Sequence, residues 1–402
     1  MKPVLIASLA LSLSGPLPAL AGDDIEVMTQ NQYLGSDFAS LLAPPGGDFN
    51  AELVRILRQI AATDFPARAR RQALEVARRM PHLVALQEVW ALSCIDGDSS
   101  DEKGCEDPSI ADAFVDHLQA TLDALTALGA DYDDIAVVEN LDLSSIQLGP
   151  LPPGLPFFIN GAPASLIAID RDVILARTDV PAVAADLDCA VPSEDGCNYQ
   201  FVLTVEVPTP LGPIDVSFER GFVAVDATVG SKTYRFVTTH LEIRDPVPRQ
   251  FQCEQAAELI EILEDTTPLG FSLIVVGDLN SSPQDEPVTG ALPLLPPCSQ
   301  ETVVPPYMQF VDAGYTDIWT LRPGVAPGFT CCQAADLSNR LSTLSERIDV
   351  IFSLDRPRRV EQARVVGDRV SDKTRPPGPR LWPSDHGGVV ATLQFNYSPA
   401  GW

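Results

Sequence analysis

Leu273-Ile274-Val275-Val276-Gly277-Asp278-Leu279-Asn280 sets four apolar residues in a row ahead of a glycine and an Asp-x-Asn triplet. A run that is apolar on both faces suits a strand inside a covered sheet, and the polar tail marks where the chain leaves that sheet. The same pattern recurs on either side. Strands are predicted over residues 25–30, 83–87, 135–139, 165–169, 201–207, 222–228, 234–239, 273–276, 348–352 and 389–395. Helices are predicted between some of them. Thr63-Asp64 followed by Pro66 is a good helix start, with Ala73, Ala77 and Met80 falling on one face. Residues 111–128 and 249–263 also read as helices. Strands mixed with helices indicate an α/β or α+β architecture. The Pro- and Gly-rich stretches at 149–156, 293–306 and 375–383 are too short for linkers, so residues 22–402 read as one domain.

Polar residues gather at the ends of these strands. Thr29-Gln30-Asn31 ends the first, and Gln87-Glu88 follows Leu83-Val84-Ala85-Leu86. Thr239-His240-Leu241-Glu242 follows Phe236-Val237-Thr238, and Ser384-Asp385-His386 precedes Val389-Val390. A rigid sheet edge can aim such groups into a loop-lined cleft. If the strand continues past Asp278, its period of two places Asp278 and Asn280 on one face. Carboxylate and amide oxygens are hard donors that suit Mg²⁺, Mn²⁺ or Ca²⁺ rather than zinc. Asp349, between Ile348 and Val350, is a carboxylate in an apolar strand and needs a partner. A protonated histidine would serve, while pairing with Arg347 or another arginine is the plainer structural alternative. His82, beside Pro81, and His117, in a predicted helix, read as ordinary structural residues.

Taken singly these motifs are weak. In this order, from Ile25 to about Phe395, the set resembles the endonuclease/exonuclease/phosphatase superfamily, the deoxyribonuclease I-like fold, and within it an exported bacterial branch. The resemblance rests on Thr29-Gln30-Asn31 with Tyr33-Leu34-Gly35, the run PHLVALQEV at 81–89, Thr239-His240-Leu241-Glu242, Gly277-Asp278-Leu279-Asn280, Arg347-Ile348-Asp349 and Ser384-Asp385-His386. It implies a four-layer sandwich, two mixed β-sheets face to face with helices outside. It also implies metal-dependent hydrolysis of a phosphate ester. Carried over residue by residue, Glu88 is the main metal ligand, with Asn31 beside it and Asp385 nearby. His386 is the base that activates water, oriented by Asp349. Asp278 positions the nucleophile, and Asn280 and His240 donate to the phosphoryl oxygens. Leu279 stands where the family usually has Phe, and no partner for His240 can be matched.

The chain has 402 residues with 27 Lys and Arg against 55 Asp and Glu, a formal net charge of -28. A mean field of that sign repels polyanions, which counts against long nucleic acid and less against a lipid phosphodiester such as sphingomyelin or a small ester. Salt screens that field over ~8 Å, so a local cation could still admit nucleic acid. Residues 94–142 hold 14 acidic residues and one basic, whereas residues 340–380 hold 10 basic and 6 acidic. Both read first as solvated surface; the sharper reading puts the basic segment beside a phosphate.

Lys2, the apolar run at 4–11 and Ala19-Leu20-Ala21 form a secretory signal over residues 1–21. The expected product is a secreted or periplasmic monomer without stable membrane insertion. Eight cysteines fit an oxidising compartment. Cys94 and Cys105 bracket one short polar loop, and Cys189 and Cys197 bracket another, so each pair is expected to be bridged. Elimination leaves Cys253–Cys298 and a vicinal Cys331–Cys332 bridge. The predicted activity is therefore a secreted metal-dependent phosphodiesterase; a non-catalytic ligand-binding module on the same fold is the alternative.

Overall fold

In the computed structural model, which describes residues 24–42, 45–97, 104–148, 151–209 and 211–396, two mixed sheets lie face to face. The predicted signal segment falls outside the described residues. In the first sheet the strands run in the order Arg359–Val366, Gly388–Gln394, Asp24–Asn31, Leu83–Gln87, Ala162–Arg177 and Ala91–Asp96. Tyr132–Asp142 and Leu155–Ile159 also pair with the long strand Ala162–Arg177. The second sheet runs Thr316–Asp317, Asp349–Ser353, Ser272–Asp278, Lys232–His240, Gly221–Val229, and then two short pieces.

Alternation along each strand builds the layers. Ile25, Val27, Leu83 and Ala85 of the first sheet meet Val223, Val225, Phe236, Ile274 and Val276 of the second in one buried core. The residues in between, Met28, Val84 and Leu86, point outward onto Ala73, Val76, Leu118 and Leu125 of two helices, Phe65–Arg79 and His117–Ala127. On the other side Val237, Leu273 and Val275 pack on Ala256, Leu259 and Leu263 of the helix Gln250–Thr266 and on Phe310. Helix, sheet, sheet, helix is the expected four-layer sandwich. Strands buried on both faces explain why the sequence shows apolar runs there instead of alternation.

Two elements depart from the reading. The helix expected over residues 111–128 is a short turn, Ala111–Ala113, and then a helix from His117. The break has a cause. Backbone groups at 115–117 bond to Trp90 and Leu92, and the Asp116 carboxylate caps Leu118 N at 2.9 Å. A further helix, Phe49–Ala62, starts at Asp48, whose side chain accepts from Ala51 N at 2.9 Å. The four expected cysteine pairs, Cys94–Cys105, Cys189–Cys197, Cys253–Cys298 and Cys331–Cys332, all lie at bonding distance. Among the described residues, no helix is long and apolar enough to cross a membrane.

Strand direction gathers the polar tails. Asp24–Asn31 and Leu83–Gln87 are parallel, with Asn31 opposite Gln87. Lys232–His240 and Ser272–Asp278 are parallel, with His240 opposite Asp278. Asp349 opens an antiparallel strand opposite Asp278, and Gly388, two residues after His386, opens another beside Asp24–Asn31. All these ends therefore meet at one edge of the sandwich.

Candidate active site

At that edge lies a cleft of about 380 Å³ whose walls include Glu88, His240, Asp278, Asn280, Asp385 and His386. Three non-glycine residues there have left-handed backbone: Tyr33 (φ 63°), Glu88 (φ 53°) and Asn280 (φ 47°). Such conformations are uncommon away from glycine and cluster where a site must be held in shape. They also correct the strand reading of Asp278 and Asn280. The strand stops at Asp278, and a reversed backbone, not strand periodicity, turns Asn280 towards His240.

Asp349 and His386 meet. His386 Nδ1 lies 2.8 Å from Asp349 Oδ2, both side chains being almost fully buried. Arg347 is occupied elsewhere, 2.7 Å from Asp317. His386 Nε2 faces Asp278 Oδ2 at 3.7 Å and Asp385 Oδ1 at 4.0 Å. Burial disfavours the imidazolium, but the charges of Asp349, Asp385 and Asp278 outweigh it and hold the His386 pKa well above the usual histidine range. Ser384 aligns the loop, its hydroxyl donating to Asn31 O at 2.7 Å and accepting from His386 N at 3.0 Å.

Asn31 braces the carboxylates through its amide nitrogen, which donates to Glu88 Oε1 at 3.0 Å and to Asp278 Oδ2 at 3.2 Å. Its oxygen accepts from Tyr33 N at 2.9 Å, which fixes the amide and leaves that oxygen a second lone pair. Burial, with Glu88 and Asp278 nearby, pushes the Asp385 carboxyl up to about 7. Burial and the charge of Asp349 also raise Asp278. Crowded, buried carboxylates of this kind suit a hard divalent cation. Asp278, Asp349 and His386 place ligand atoms within 4.8 Å of one another and could hold one.

His240 has an unexpected partner. Its Nδ1 lies 3.1 Å from Arg220 Nη1. A guanidinium only donates, so Nδ1 accepts and the imidazole proton sits on Nε2. Burial first, then the positive charges of Arg220 and His386, hold His240 well below the usual histidine range, so it is neutral. Asn280 Nδ2 lies 3.2 Å from that Nε2, with no hydrogen bond between the two donors in this tautomer, and donates to Leu241 O at 2.9 Å. Two neutral donors thus stand side by side. Arg220 is itself held by Glu242 at 3.3 Å and Asp170 at 3.9 Å.

The sequence reading missed Arg220, Asp170 and Arg68. Arg220 directly precedes the strand Gly221–Val229, whose neighbour ends at His240, and that adjacency was the available signal. Arg68 is fully buried and donates to the carbonyls of Gln32, Tyr33, Thr63 and Pro383, tying together the loops that carry Tyr33 and Asp385. The basic segment 340–380 plays no such part: among the described residues lining the cleft, Arg220 is the one arginine and there is no lysine. His82 and His117 are structural, as expected. His82 Nδ1 accepts from Glu26 N at 3.0 Å, and His117 stacks on Phe65.

No protein-family model matches the chain. No curated protein matches it in sequence. Several solved structures are similar to it. An endonuclease/exonuclease/phosphatase family protein from Bacteroides thetaiotaomicron is 16% identical, covering 94% of this chain and 99% of its own, with a TM-score of 0.49. A mannosyl-6-phosphatase from the same species is 16% identical, covering 92% and 100%, with a TM-score of 0.48. TDP2 from Caenorhabditis elegans, in truncated form, is 15% identical, covering 92% and 97%, with a TM-score of 0.46. These are likenesses of fold, and in fold the chain is similar to the endonuclease/exonuclease/phosphatase proteins that its motifs resemble.

Proposed function

We propose that the protein is an exported, divalent-metal-dependent phosphoesterase that cleaves a phosphodiester with a water activated at His386. The carrying observation is the buried Asp349–His386 pair, 2.8 Å apart, facing the His240 and Asn280 donors across Asp278. In this reading Asp349 holds the Nδ1 proton and leaves Nε2 to take one from water. Asp278 orients that water, since its Oδ2 lies beside the Nε2 atoms of both His386 and His240. His240 Nε2–H and the Asn280 amide donate to the phosphoryl oxygens as negative charge grows there. Glu88, with Asn31 and Asp385, would hold the cation, and the Asn31 amide nitrogen bridges Glu88 and Asp278. When bound, a divalent cation (Mg²⁺, Mn²⁺ or Ca²⁺) supplies positive charge for the phosphoryl group and the leaving oxygen. His386 can accept a proton only after positive charge has entered among its three carboxylates. The cysteine pairs and the signal-like N-terminus support export.

The test is a hydrolysis screen of DNA, RNA, sphingomyelin and a chromogenic bis-ester with Mg²⁺, Mn²⁺ or Ca²⁺, repeated with chelator. Chelator-sensitive turnover that falls at least ~10²-fold in His386→Ala is expected. Phosphoester binding with no turnover under any metal would favour the non-catalytic binding module instead.

A further inference from the structure

The cleft is chemically lopsided. Beside the reacting groups, one wall is apolar: Phe38, Trp90, Leu141, Leu203 and Phe218 line it. Phe38, Leu203 and Phe218 are each only half-buried, so their apolar faces are left open to the cleft. Leu203 and Phe218 are paired residues at the base of a separate two-stranded hairpin, Leu203–Thr209 with Gly212–Phe218. Phe38 stacks on Trp90 with ring centroids 5.6 Å apart. Behind Phe38, Leu141 and Phe218 a side recess opens that is lined by apolar residues alone. The charged part of the lining beside the apolar wall is acidic. Asp37 and Glu219 flank the two phenylalanines, the one arginine, Arg220, is already shared by Glu242 and Asp170, and the His386 imidazolium is taken up by Asp349, Asp278 and Asp385.

A chain of phosphates needs a track of lysines and arginines, and none lines this cleft. Half-open aromatic and aliphatic faces beside the reacting groups reward the opposite kind of molecule. We infer that the substrate is a phosphodiester of an apolar alcohol whose only negative charge is the reacting phosphate. Its alkyl or aryl body lies on the Phe38–Trp90–Phe218 wall. A second anionic group would stand against Asp37 and Glu219. The inference rests on the phosphodiester reading of the site and adds to it the class of alcohol.

A series of p-nitrophenyl alkyl phosphodiesters tests this, with methyl, butyl and octyl groups and an octyl chain ending in carboxylate. Leaving group and reacting charge stay constant, so only the wall is read. With Mg²⁺ or Mn²⁺, kcat/KM should rise by about two- to fourfold per methylene, through KM. The terminal carboxylate should cancel at least tenfold of the gain. Phe218→Ser and Leu203→Ser should each flatten the chain-length slope. A flat series in the wild type, or faster cleavage of an oligonucleotide than of the octyl diester, overturns the inference while leaving the hydrolytic function standing. If no diester is cleaved, the hydrolytic reading fails by itself. Calorimetric binding of methyl, butyl and octyl methylphosphonate monoanions still decides the wall: affinity climbing with chain length supports it, and equal affinities reject it.

Discussion

Replacing Arg220 by Met should expose how much of the site depends on one guanidinium. Its Nη2 lies 3.3 Å from Glu242 and its Nη1 3.9 Å from Asp170, with all three side chains largely withdrawn from water. At an effective dielectric near 20 these contacts are worth about 5 and about 4 kcal/mol of gross attraction. Desolvation of the guanidinium offsets much of that, but removing one partner of a buried pair typically costs ~3–5 kcal/mol. Asp170 adds a pH signature. Burial already raises its carboxyl to about 7 while Arg220 lowers it, so losing Arg220 raises it further. A raised folded-state pKa gives stability that is complete at acid pH and is lost as pH rises through that value. The deficit of Arg220→Met should therefore be largest near pH 8 and shrink towards pH 5. Urea denaturation at both pH values measures it, with Arg220→Met/Asp170→Asn/Glu242→Gln as the recovering control. Catalysis should fall too, because His240 Nδ1 loses the donor that keeps the proton on Nε2. Arg220→Lys should restore part of the stability but little of the turnover. A deficit below about 1 kcal/mol, or one independent of pH, would refute the account.

Four further outcomes are expected. Asp349→Asn should lower turnover less than His386→Ala and shift the acid limb of the pH–rate profile downward, because His386 loses the carboxylate 2.8 Å away that favours its protonated form; an unmoved profile would count against the pairing. Glu88→Gln should keep the fold by circular dichroism yet weaken Mn²⁺ binding measured by titration, since an amide balances no charge. Opening Cys253–Cys298 with a double alanine variant should cost about 4 kcal/mol in the chain-entropy picture, because the bridge spans 45 positions, and denaturant melts will read it. Asp170→Asn should stabilise the protein at pH 8 by up to ~4 kcal/mol, the scale of lifting a carboxyl to about 7, and leave it unchanged near pH 4.

The central strands were legible because burial on both faces writes apolar runs, as in Leu83–Gln87 and Ser272–Asp278, whereas the half-exposed Leu203–Thr209 was legible from its β-branched alternation. The candidate site was legible for a related reason. Asn31, Glu88, His240 and Asp278 directly end or follow such runs, so finding the strands located them. The helix Phe49–Ala62 carried its own signal in Leu53, Ile56, Leu57 and Ile60, spaced along one face. The arginines were different. Arg68 acts through carbonyls of residues 32, 33, 63 and 383, and no local pattern marks which distant backbone a guanidinium will meet. The fine geometry was equally hidden: whether Asp278 and Asn280 share a strand face depends on where the ladder stops, and it stops at Asp278.

The arrangement of buried charge says more than any single contact. Asp278, Asp349 and Asp385 crowd one imidazole, and Asp170 and Asp172 are two further buried carboxylates. Burial lifts the carboxyls of Asp170, Asp172, Asp278 and Asp385 alike, which means each ionised form works against folding. Hydrophobic residues of similar size would fold at least as well. Apart from the His386 imidazolium, the two arginines that reach the site are placed to spare it. Arg68 spends its donors on backbone carbonyls, and Arg220 leans on Glu242 and His240 and only distantly on Asp170. The carboxylates that face the cleft are thus left short of positive charge by construction. On the proposed reading, a fold that tolerates that cost at one edge, beside neutral donors and an apolar wall, would recover it when a hard cation arrives together with a singly charged ester.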